Sequence, residues 1–270
     1  LQIRQVQMII EHARIKSNRP LAHHIWEMQF EAPSIALQYM GSGQFINILT
    51  VDDWNHPLRR PMSIASSEDG CISIIYKIFG NMTRELTQKK SGETLDILGP
   101  LGNIFSKWDN GSFPILIGGG VGLAPILNLK KACDNNKIEY TIIIGARSGN
   151  EHFISHEPEK NIYLTTDDGS MGEKGTVMVP LQRLVEINKN AFIFACGPEP
   201  MLRAVKEFAI NNDIQAQLSV ESYMGCGIGF CQGCVIQRKI SEIQTHSYHE
   251  KYSLVCMDGP IYNAMDIKFD

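Results

Sequence analysis

The 270-residue sequence lacks the features that mark several classes of protein. It has no run of about eighteen apolar residues, which excludes a membrane-spanning helix. Its first twenty residues carry charges through their apolar stretch and show no small-residue cleavage pattern, so they do not resemble a secretory signal. Basic residues are not in excess, because 25 Lys and Arg stand against 29 Asp and Glu, and this balance predicts no binding to nucleic acid.

Cysteine is scarce, at seven residues, and the number is odd. Without a secretory signal, this usage favours a reducing, cytoplasmic compartment and thiol or metal chemistry over disulfides. None of the eight histidines falls in a catalytic motif, and a lone histidine is more often structural or exposed. The composition is otherwise that of a globular protein, with 43% hydrophobic residues and a length that suits two domains with a small appendage.

Three regions of the chain differ in pattern. Residues 1–108 hold short alternating runs such as GQFINILTV and CISIIYKI, broken by turn residues, which predicts an antiparallel β-barrel. Residues 109–215 alternate apolar strands such as SFPILIGG with helical segments such as LAPILNLKKACDN, which predicts an α/β domain with a parallel sheet and helices on both faces. Residues 216–270 show no helical period and are too few to form a core unaided.

Three of the seven cysteines lie within nine residues of this last region, in ESYMGCGIGFCQGCVIQ. Cys226, Cys231 and Cys234 have the spacing C-x4-C-x2-C, and Cys256 follows in YSLVCMDGP, as in plant-type [2Fe–2S] sites. The glycines at 225, 227, 229 and 233 allow the backbone to wrap an inorganic core and to direct N–H groups at sulfur. The alternative is a structural zinc site, although such sites usually show two C-x2-C pairs.

The surroundings of these cysteines lead to two further expectations. Burial beside Tyr223, Met224 and Phe230 is expected to help set the reduction potential of a cluster. Cys71 and Cys133 lie in strand and helix patterns and are expected to be core thiols.

The barrel region contains two candidate phosphate motifs. In RRPMSIAS, Arg60 comes just before a strand stiffened by Pro61, with Ser63 two residues further on. An arginine fork suits a pyrophosphate and a hydroxyl suits the edge of a flavin ring, the alternative being an exposed arginine at the start of a strand. In YKIFGNMTRELTQ, Thr83 is predicted to cap a helix whose first N–H groups face a phosphate, the alternative being an ordinary N-cap.

Two glycine-containing turns follow strands of the predicted parallel sheet. LIGGGVGLAPI passes from a strand directly into a helix, but Leu123 occupies the third glycine position of the Rossmann fingerprint, and a tight structural turn is the alternative. FACGPEPM repeats the arrangement at a later strand end, and two such turns at the carboxyl edge of one sheet favour a dinucleotide site. The candidate residues are Gly119, Gly120, Gly122, Cys196, Gly197 and Pro198.

The order of motifs RPMS, GNMT, GGGVGLAPI, TTDDGSMGEKG, CGPEPM and CGIGFCQGC…C resembles the ferredoxin–NADP reductase superfamily, and most closely the electron-transfer subunits of NAD-dependent dihydroorotate dehydrogenase B. The resemblance covers almost the whole chain. It implies an FAD-binding barrel (1–108), an NAD-binding domain (109–215) and a small [2Fe–2S] domain (216–270). It also implies FAD contacts at Arg60, Pro61, Met62, Ser63, Ile75, Tyr76, Lys77, Met82 and Thr83.

The resemblance further implies a function in pyrimidine biosynthesis. In the family, an FMN-containing catalytic subunit oxidises dihydroorotate, and electrons pass through the cluster to FAD and then to NAD⁺, usually with two subunits of each kind. The cluster is therefore expected near the surface, facing the partner. In TTDDGS, Asp168 beside Asp167 would repel a 2′-phosphate, which favours NAD over NADP, the alternative being a solvated acidic loop.

Two other functions stay open from the sequence. One is the flavin and iron–sulfur subunit of an NAD(P)H-dependent ferredoxin or sulfide oxidoreductase, whose members often carry aspartate in the position of Cys226. The other is a non-enzymatic nucleotide-sensing module with a zinc-stapled tail. Flavin bands with broad iron–sulfur absorbance would support an electron carrier over the zinc protein.

Overall fold

The computed structural model describes residues 8–50, 57–106, 111–239 and 251–269. The strands of the first half are β1 (Ile9–Ala22), β2 (Ile25–Glu31), β3 (Phe45–Leu49), β4 (Arg60–Glu68), β5 (Cys71–Lys77), β6 (Thr94–Leu101), β7 (Phe113–Gly119) and β8 (Thr141–Ala146). Those of the second half are β9 (Ile162–Thr166), β10 (Glu173–Lys174), β11 (Ala191–Cys196), β12 (Gln215–Ser219), β13 (Val235–Arg238), β14 (Tyr252–Leu254), β15 (Ile261–Asn263) and β16 (Ile267–Lys268). The α-helices are α1 (Pro33–Gln38), α2 (Asn81–Gln88), α3 (Leu123–Asn135), α4 (Met178–Ile187) and α5 (Glu199–Asn211).

The first six strands close into a barrel in the order β1-β2-β5-β4-β3-β6, with antiparallel neighbours. Because side chains alternate along a strand, Ile46 and Ile48 of β3 pack in the barrel core with Ile97 of β6. Asn47 lies between them on the opposite face of β3 and is nevertheless 1% exposed, because the C-terminal tail packs there. The predicted antiparallel barrel is confirmed.

The middle of the chain forms a seven-stranded sheet in the order β10-β9-β8-β7-β11-β12-β15. All neighbours are parallel except β12 and β15. Helix α3 packs on one face through Leu123 and Ile126, whereas α4 and α5 pack on the other through Leu181 and Val205. The predicted parallel sheet with helices on both faces is confirmed, and its strand order reverses between β7 and β11.

The tail contributes to this sheet, which the sequence did not indicate. The boundary predicted between residues 215 and 216 falls at the start of β12, where Ala216, Leu218 and Val220 are buried. Strand β15 then returns to pair with β12, and a three-residue strand is too short to leave a recognisable period. The rest of the tail forms a small sheet in the order β14-β13-β16. The three-domain division therefore stays a prediction.

Asn103, just after β6, joins the tail to the barrel. Its Nδ2 donates to the carbonyl oxygens of Asp258 and Ile261, both at 2.9 Å, and its Oδ1 accepts from the Ile261 N–H at 2.9 Å. Cys234 and Cys256 are buried in the same apolar cluster as side chains of the barrel and of the parallel sheet. In the described part of the chain, no helix has the length and apolar character needed to cross a membrane.

Candidate cofactor sites

Two neighbouring arginines at the start of β4 differ in their partners. Arg59 forms an ion pair with Asp96, with 2.8 Å between Nη1 and Oδ1, and also donates to the Asp96 carbonyl oxygen at 3.1 Å. No carboxylate of the described residues pairs with Arg60, whose Nη1 lies 3.5 Å from the Arg59 carbonyl oxygen. The half-buried Arg60 guanidinium is therefore available for a pyrophosphate, next to the half-buried residues 61–63.

The residues of β5 predicted to contact FAD have mostly buried side chains. Tyr76 is 2% exposed and donates its hydroxyl proton to Asn18 Oδ1 at 3.0 Å, and burial raises its pKa. Ile75 packs in the apolar cluster that α3 shares with the barrel, and Lys77 forms a 2.7 Å ion pair with Glu151. Tyr76 and Ile75 can therefore reach a cofactor through backbone groups only.

Helix α2 begins before the predicted cap. Its N-cap is Gly80, at φ 82°, and Thr83 is the third residue of the helix. The Thr83 hydroxyl accepts from the Phe79 N–H at 2.6 Å and donates to the Gly80 carbonyl oxygen at 3.3 Å. The prediction of Thr83 as N-cap is wrong, because the chain enters the helix through a left-handed residue and Gly80 supplies it. Met82 is buried beneath this turn.

The two glycine turns predicted to bind NAD meet at the carboxyl ends of β7 and β11. Gly118 and Cys196 are register partners on these parallel strands. A Cβ at Gly122 would overlap the carbonyl oxygen of Cys196, and one at Gly119 would lie 2.6 Å from Met201 Sδ. Because the strand order reverses between β7 and β11, both turns border the crevice at which open α/β sheets bind ligands.

Helices α3 and α5 begin at these turns. A 3-10 turn at Gly120–Gly122 leads into α3, and α5 starts after Pro198, its N-cap. Neither helix has a side-chain cap from the described residues. In α5, Pro200 has no N–H and the Met201 N–H donates to the Pro198 carbonyl oxygen at 2.9 Å, so Glu199 offers the N–H that can meet a ligand oxygen. The Cys196 thiol is buried, which raises its pKa to about 12, so this residue borders the crevice with its backbone and with a neutral side chain.

Asp168 lies beyond β9, two strands from β7 on the same edge of the sheet. Its Oδ1 accepts from the Ser170 N–H at 2.9 Å and from the Ser170 hydroxyl at 2.5 Å. These hydrogen bonds lower the pKa of Asp168, whose carboxylate is exposed. A fixed negative charge therefore stands at this edge, and its contact with a ribose stays a prediction.

The four tail cysteines form two pairs. Cys226 and Cys231 lie in the loop after β12, and the Cys231 N–H donates to Cys226 Sγ at 3.2 Å. Cys234 and Cys256 lie beside β13 and β14, and the Cys256 N–H donates to Cys234 Sγ at 3.4 Å. The Gly229 N–H donates to Cys256 Sγ at 3.3 Å and links the two pairs. Cys231 is exposed and Cys226 half-buried, whereas the second pair is 1% exposed. Within the described ranges, no three His, Cys, Asp or Glu side chains converge as one metal ion would require.

The aromatic residues near these thiols are exposed, contrary to the prediction of burial. Tyr223 is 97% exposed and Phe230 89%, while Met224 is partly buried against the core. Gly227 and Gly229 adopt φ of 71° and 80°, and these turns direct N–H groups inward and the neighbouring side chains outward. Exposed rings beside a surface thiol are typical of an interaction surface.

A cleft of about 560 Å³ borders the barrel, the parallel sheet and the tail. The barrel contributes Phe79, which is 91% exposed, and the end of β12 contributes Glu221 and Tyr223. Glu221 opens on the cleft, and desolvation by the surrounding protein raises its pKa. Sequence reasoning missed Phe79 and Glu221, although the position of Phe79 directly before the GNMT motif was a signal.

Comparison with known proteins identifies the family. Residues 221–268 match the model of the iron-sulfur cluster binding domain of dihydroorotate dehydrogenase B, and residues 116–207 match the oxidoreductase NAD-binding domain. The electron transfer subunit of dihydroorotate dehydrogenase B (NAD(+)) from Fusobacterium nucleatum is 34% identical over 97% of this chain and all of its own length. The chain belongs to this family of electron transfer subunits. The Bacillus pumilus member is 33% identical over 94% of this chain and 96% of its own.

Solved structures agree with this family in fold. A structure of an NADH-dependent reduced ferredoxin-NADP oxidoreductase has a TM-score of 0.82 and 25% identity, over 96% of this chain and 91% of its own. The ferredoxin reductase of carbazole 1,9a-dioxygenase has a TM-score of 0.66 and 21% identity, over 78% of this chain and 68% of its own. The resemblance predicted from the sequence is confirmed, as is the fold of a barrel, a parallel sheet and a C-terminal iron–sulfur domain.

Proposed function

We propose that this chain carries electrons from an FMN-containing dihydroorotate dehydrogenase subunit through a [2Fe–2S] cluster and FAD to NAD⁺. The observation that carries the proposal is the arrangement of the tail cysteines in two pairs, 226 with 231 and 234 with 256, each joined by a backbone N–H to Sγ hydrogen bond, inside the segment that matches the family's iron–sulfur domain. Two linked pairs suit two bridged iron ions, whereas a structural zinc requires four ligands around one point.

The barrel carries charged and polar groups that suit the binding of FAD. Arg60 would hold the pyrophosphate, because Arg59 is engaged by Asp96 and leaves the neighbouring guanidinium without a carboxylate partner among the described residues. Ser63 would meet the ring edge, and the first N–H groups of α2 would face a phosphate. FAD, when bound, accepts single electrons and delivers two together as hydride to nicotinamide.

The parallel sheet fits NAD at its crevice. The turns at Gly119, Gly122 and Gly197 have no side chains, and this lets a ligand approach the backbone where α3 and α5 begin. Asp168 would reject a 2′-phosphate by charge, so NAD is preferred over NADP. These groups bind and orient the nucleotide while the buried Cys196 thiol stays neutral.

The difference in exposure between the two cysteine pairs indicates from which side electrons would enter the cluster. Cys231 is exposed, as are Tyr223 and Phe230 of the same loop, and this side would face the FMN-containing catalytic subunit. Cys234 and Cys256 lie on the inner side, packed with the barrel and the sheet. In this arrangement the chain is one of four subunits, two of each kind, in a cytoplasmic complex of pyrimidine biosynthesis.

A second candidate function keeps the same relay with another partner. The 0.82 TM-score to the NADH-dependent reduced ferredoxin-NADP oxidoreductase structure supports a subunit that exchanges electrons with ferredoxin. Identities of 33% and 34% to dihydroorotate dehydrogenase B subunits exceed the 25% identity to that structure and favour the dihydroorotate system.

Purification of the chain from its native host with its bound partner tests the proposal. The expected complex shows flavin bands, broad iron–sulfur absorbance and an FMN-containing chain, and it reduces NAD⁺ when dihydroorotate is added. A colourless chain with bound zinc would overturn the electron-relay function. A coloured complex that reduces ferredoxin and ignores dihydroorotate would establish the second candidate instead.

A further inference from the structure

Asn47 lies where the barrel meets the cysteine loop. It is 1% exposed, and its register partners are Pro61 on β4, within the predicted FAD motif, and Leu98 on β6. Its Nδ2 donates to the carbonyl oxygen of Cys226 at 3.5 Å. This one side chain therefore joins the strand pair that carries the FAD motif to the first candidate cluster ligand.

Gly227 packs directly on the Asn47 amide. It adopts φ 71°, and a Cβ at this position would overlap Asn47 Nδ2. The reverse amide orientation would set two oxygens against each other at the Cys226 carbonyl, so the NH₂ group faces the loop.

The other end of the Asn47 amide has no hydrogen bond. Its Oδ1 is buried and finds no partner among the described residues. A buried acceptor without a partner destabilises a fold, and a leucine or valine would fill this strand position without that penalty. An asparagine at this position therefore serves a purpose other than stability.

The bond to Asn47 fixes the orientation of the peptide between Cys226 and Gly227. With that carbonyl held toward the barrel, the N–H groups that follow turn toward sulfur. The Ile228 and Cys231 N–H groups donate to Cys226 Sγ at 3.4 Å and 3.2 Å. Such bonds stabilise the extra negative charge of a reduced cluster and raise its reduction potential.

We propose that Asn47 is a positioning residue that sets the reduction potential of the [2Fe–2S] cluster and its placement against the FAD-binding strands. It acts through the Cys226 carbonyl and Gly227, without touching iron, sulfide or flavin. The inference rests on the proposed function, since it requires a cluster at these cysteines.

Asn47→Leu and Asn47→Asp, each in the complex with the catalytic subunit, test the role. Both remove the donor to Cys226, and the aspartate adds a negative charge near the cluster. We expect a full complement of iron and FAD, an altered EPR line shape and a more negative cluster potential in a redox titration, with the larger shift in Asn47→Asp. Loss of about one hydrogen bond corresponds to roughly a fivefold change in the equilibrium constant for electron transfer between the cluster and the flavin. NADH-to-dye activity through FAD stays unchanged, and dihydroorotate-driven reduction of NAD⁺ slows.

Asn128→Ala is the matched control. Asn128 also joins the barrel to another part of the chain, because its Nδ2 donates to the Tyr39 hydroxyl at 2.6 Å and to the Ile64 carbonyl oxygen at 2.9 Å. This variant is expected to lower the melting temperature and to leave the cluster potential and EPR signal unchanged. An unchanged potential and EPR line shape in Asn47→Leu would overturn the proposal, whatever the melting temperature of the variant.

Asn47→Ser serves if the larger changes prevent assembly. It keeps a polar group and loses only the reach to the Cys226 carbonyl, so the same negative shift in potential is expected. An unaltered potential and line shape in this variant would also overturn the positioning role. A wild-type complex without a [2Fe–2S] signal would instead overturn the proposed function, so the two failures are distinguishable.

Discussion

The α-carbon of Gly122 packs against the main-chain carbonyl of Cys196, so closely that a Cβ atom at Gly122 would overlap the carbonyl oxygen. These two residues lie 74 positions apart, at the ends of β7 and β11. Because of this contact, the two glycine motifs line the same crevice, at the point where the strand order of the sheet reverses.

Gly122→Ala is expected to impair NAD binding. The atoms in the way are backbone atoms of residues 196 and 197, so one of the two turns must shift, with a loss of about 1–3 kcal/mol. We expect the KM for NADH in dye reduction to rise about tenfold, which corresponds to about 1.4 kcal/mol, while FAD content stays the same. Steady-state kinetics and the flavin spectrum measure both.

Gly92→Ala is the control for this substitution. Gly92 lies in the turn before β6 at φ 92°, and no atom stands within 4 Å of a Cβ placed there. Alanine at position 92 costs about 1 kcal/mol because of the positive φ, but its Cβ meets no other atom. The free energy of unfolding should therefore fall, and the KM for NADH should not change. An unchanged KM and an unchanged melting temperature in Gly122→Ala would refute the crevice assignment.

Cys234→Ala is expected to remove the cluster and spare the flavin reaction. Cys234 is 1% exposed and its Sγ accepts from the Cys256 N–H at 3.4 Å, so the variant would leave one iron with an incomplete ligand set. EPR spectroscopy should show no [2Fe–2S] signal, and electrons from dihydroorotate should no longer reach NAD⁺. NADH-to-dye activity through FAD should persist.

Cys133→Ala provides the comparison, because Cys133 is equally buried but lies in α3. It should lower stability slightly and keep the full cluster signal. A full [2Fe–2S] signal in Cys234→Ala would show that the ligand assignment is wrong.

Arg60→Gln is expected to weaken FAD binding. A charged hydrogen bond contributes about 1.5–3 kcal/mol, so the FAD dissociation constant should rise about tenfold to a hundredfold. Arg59→Gln breaks the ion pair with Asp96 and should lower the melting temperature without loss of FAD. Fluorescence titration of the deflavinated protein measures both variants, and similar FAD affinities in the two would contradict the assignment of Arg60 to the pyrophosphate.

The fold could be predicted from the sequence where its signals are local. Alternation of apolar residues indicated the barrel strands, and the change to a helical period indicated the α/β region, because each pattern follows from the geometry of one element. The start of α2, within the GNMT motif, was predicted wrongly. Gly80 is the N-cap because its backbone conformation begins the helix, and the hydroxyl of Thr83 does not set that start.

The relations that shape the candidate sites are not local. Asn47 and Gly227 are 180 positions apart, and nothing in GQFINILTV or in the cysteine loop indicates that they touch. The exposure of Tyr223 and Phe230 depends on which side of a glycine loop packs on the core, and composition does not encode that. The cysteine spacing was informative because four thiols around one small core restrict their own separation in sequence.

Thiol labelling should reproduce the order of exposure among the cysteines. In the cluster-free protein at pH 8, Cys231 is exposed and should react first with N-ethylmaleimide. Burial raises the pKa of Cys196 to about 12 and that of Cys133 to about 11. The reactive thiolate forms only as pH approaches the pKa, so both should stay unlabelled in the folded protein up to about pH 9 and react on unfolding. Mass spectrometry of peptides after timed labelling measures the order, and early labelling of Cys196 in folded protein would show that the β11 turn is open to solvent.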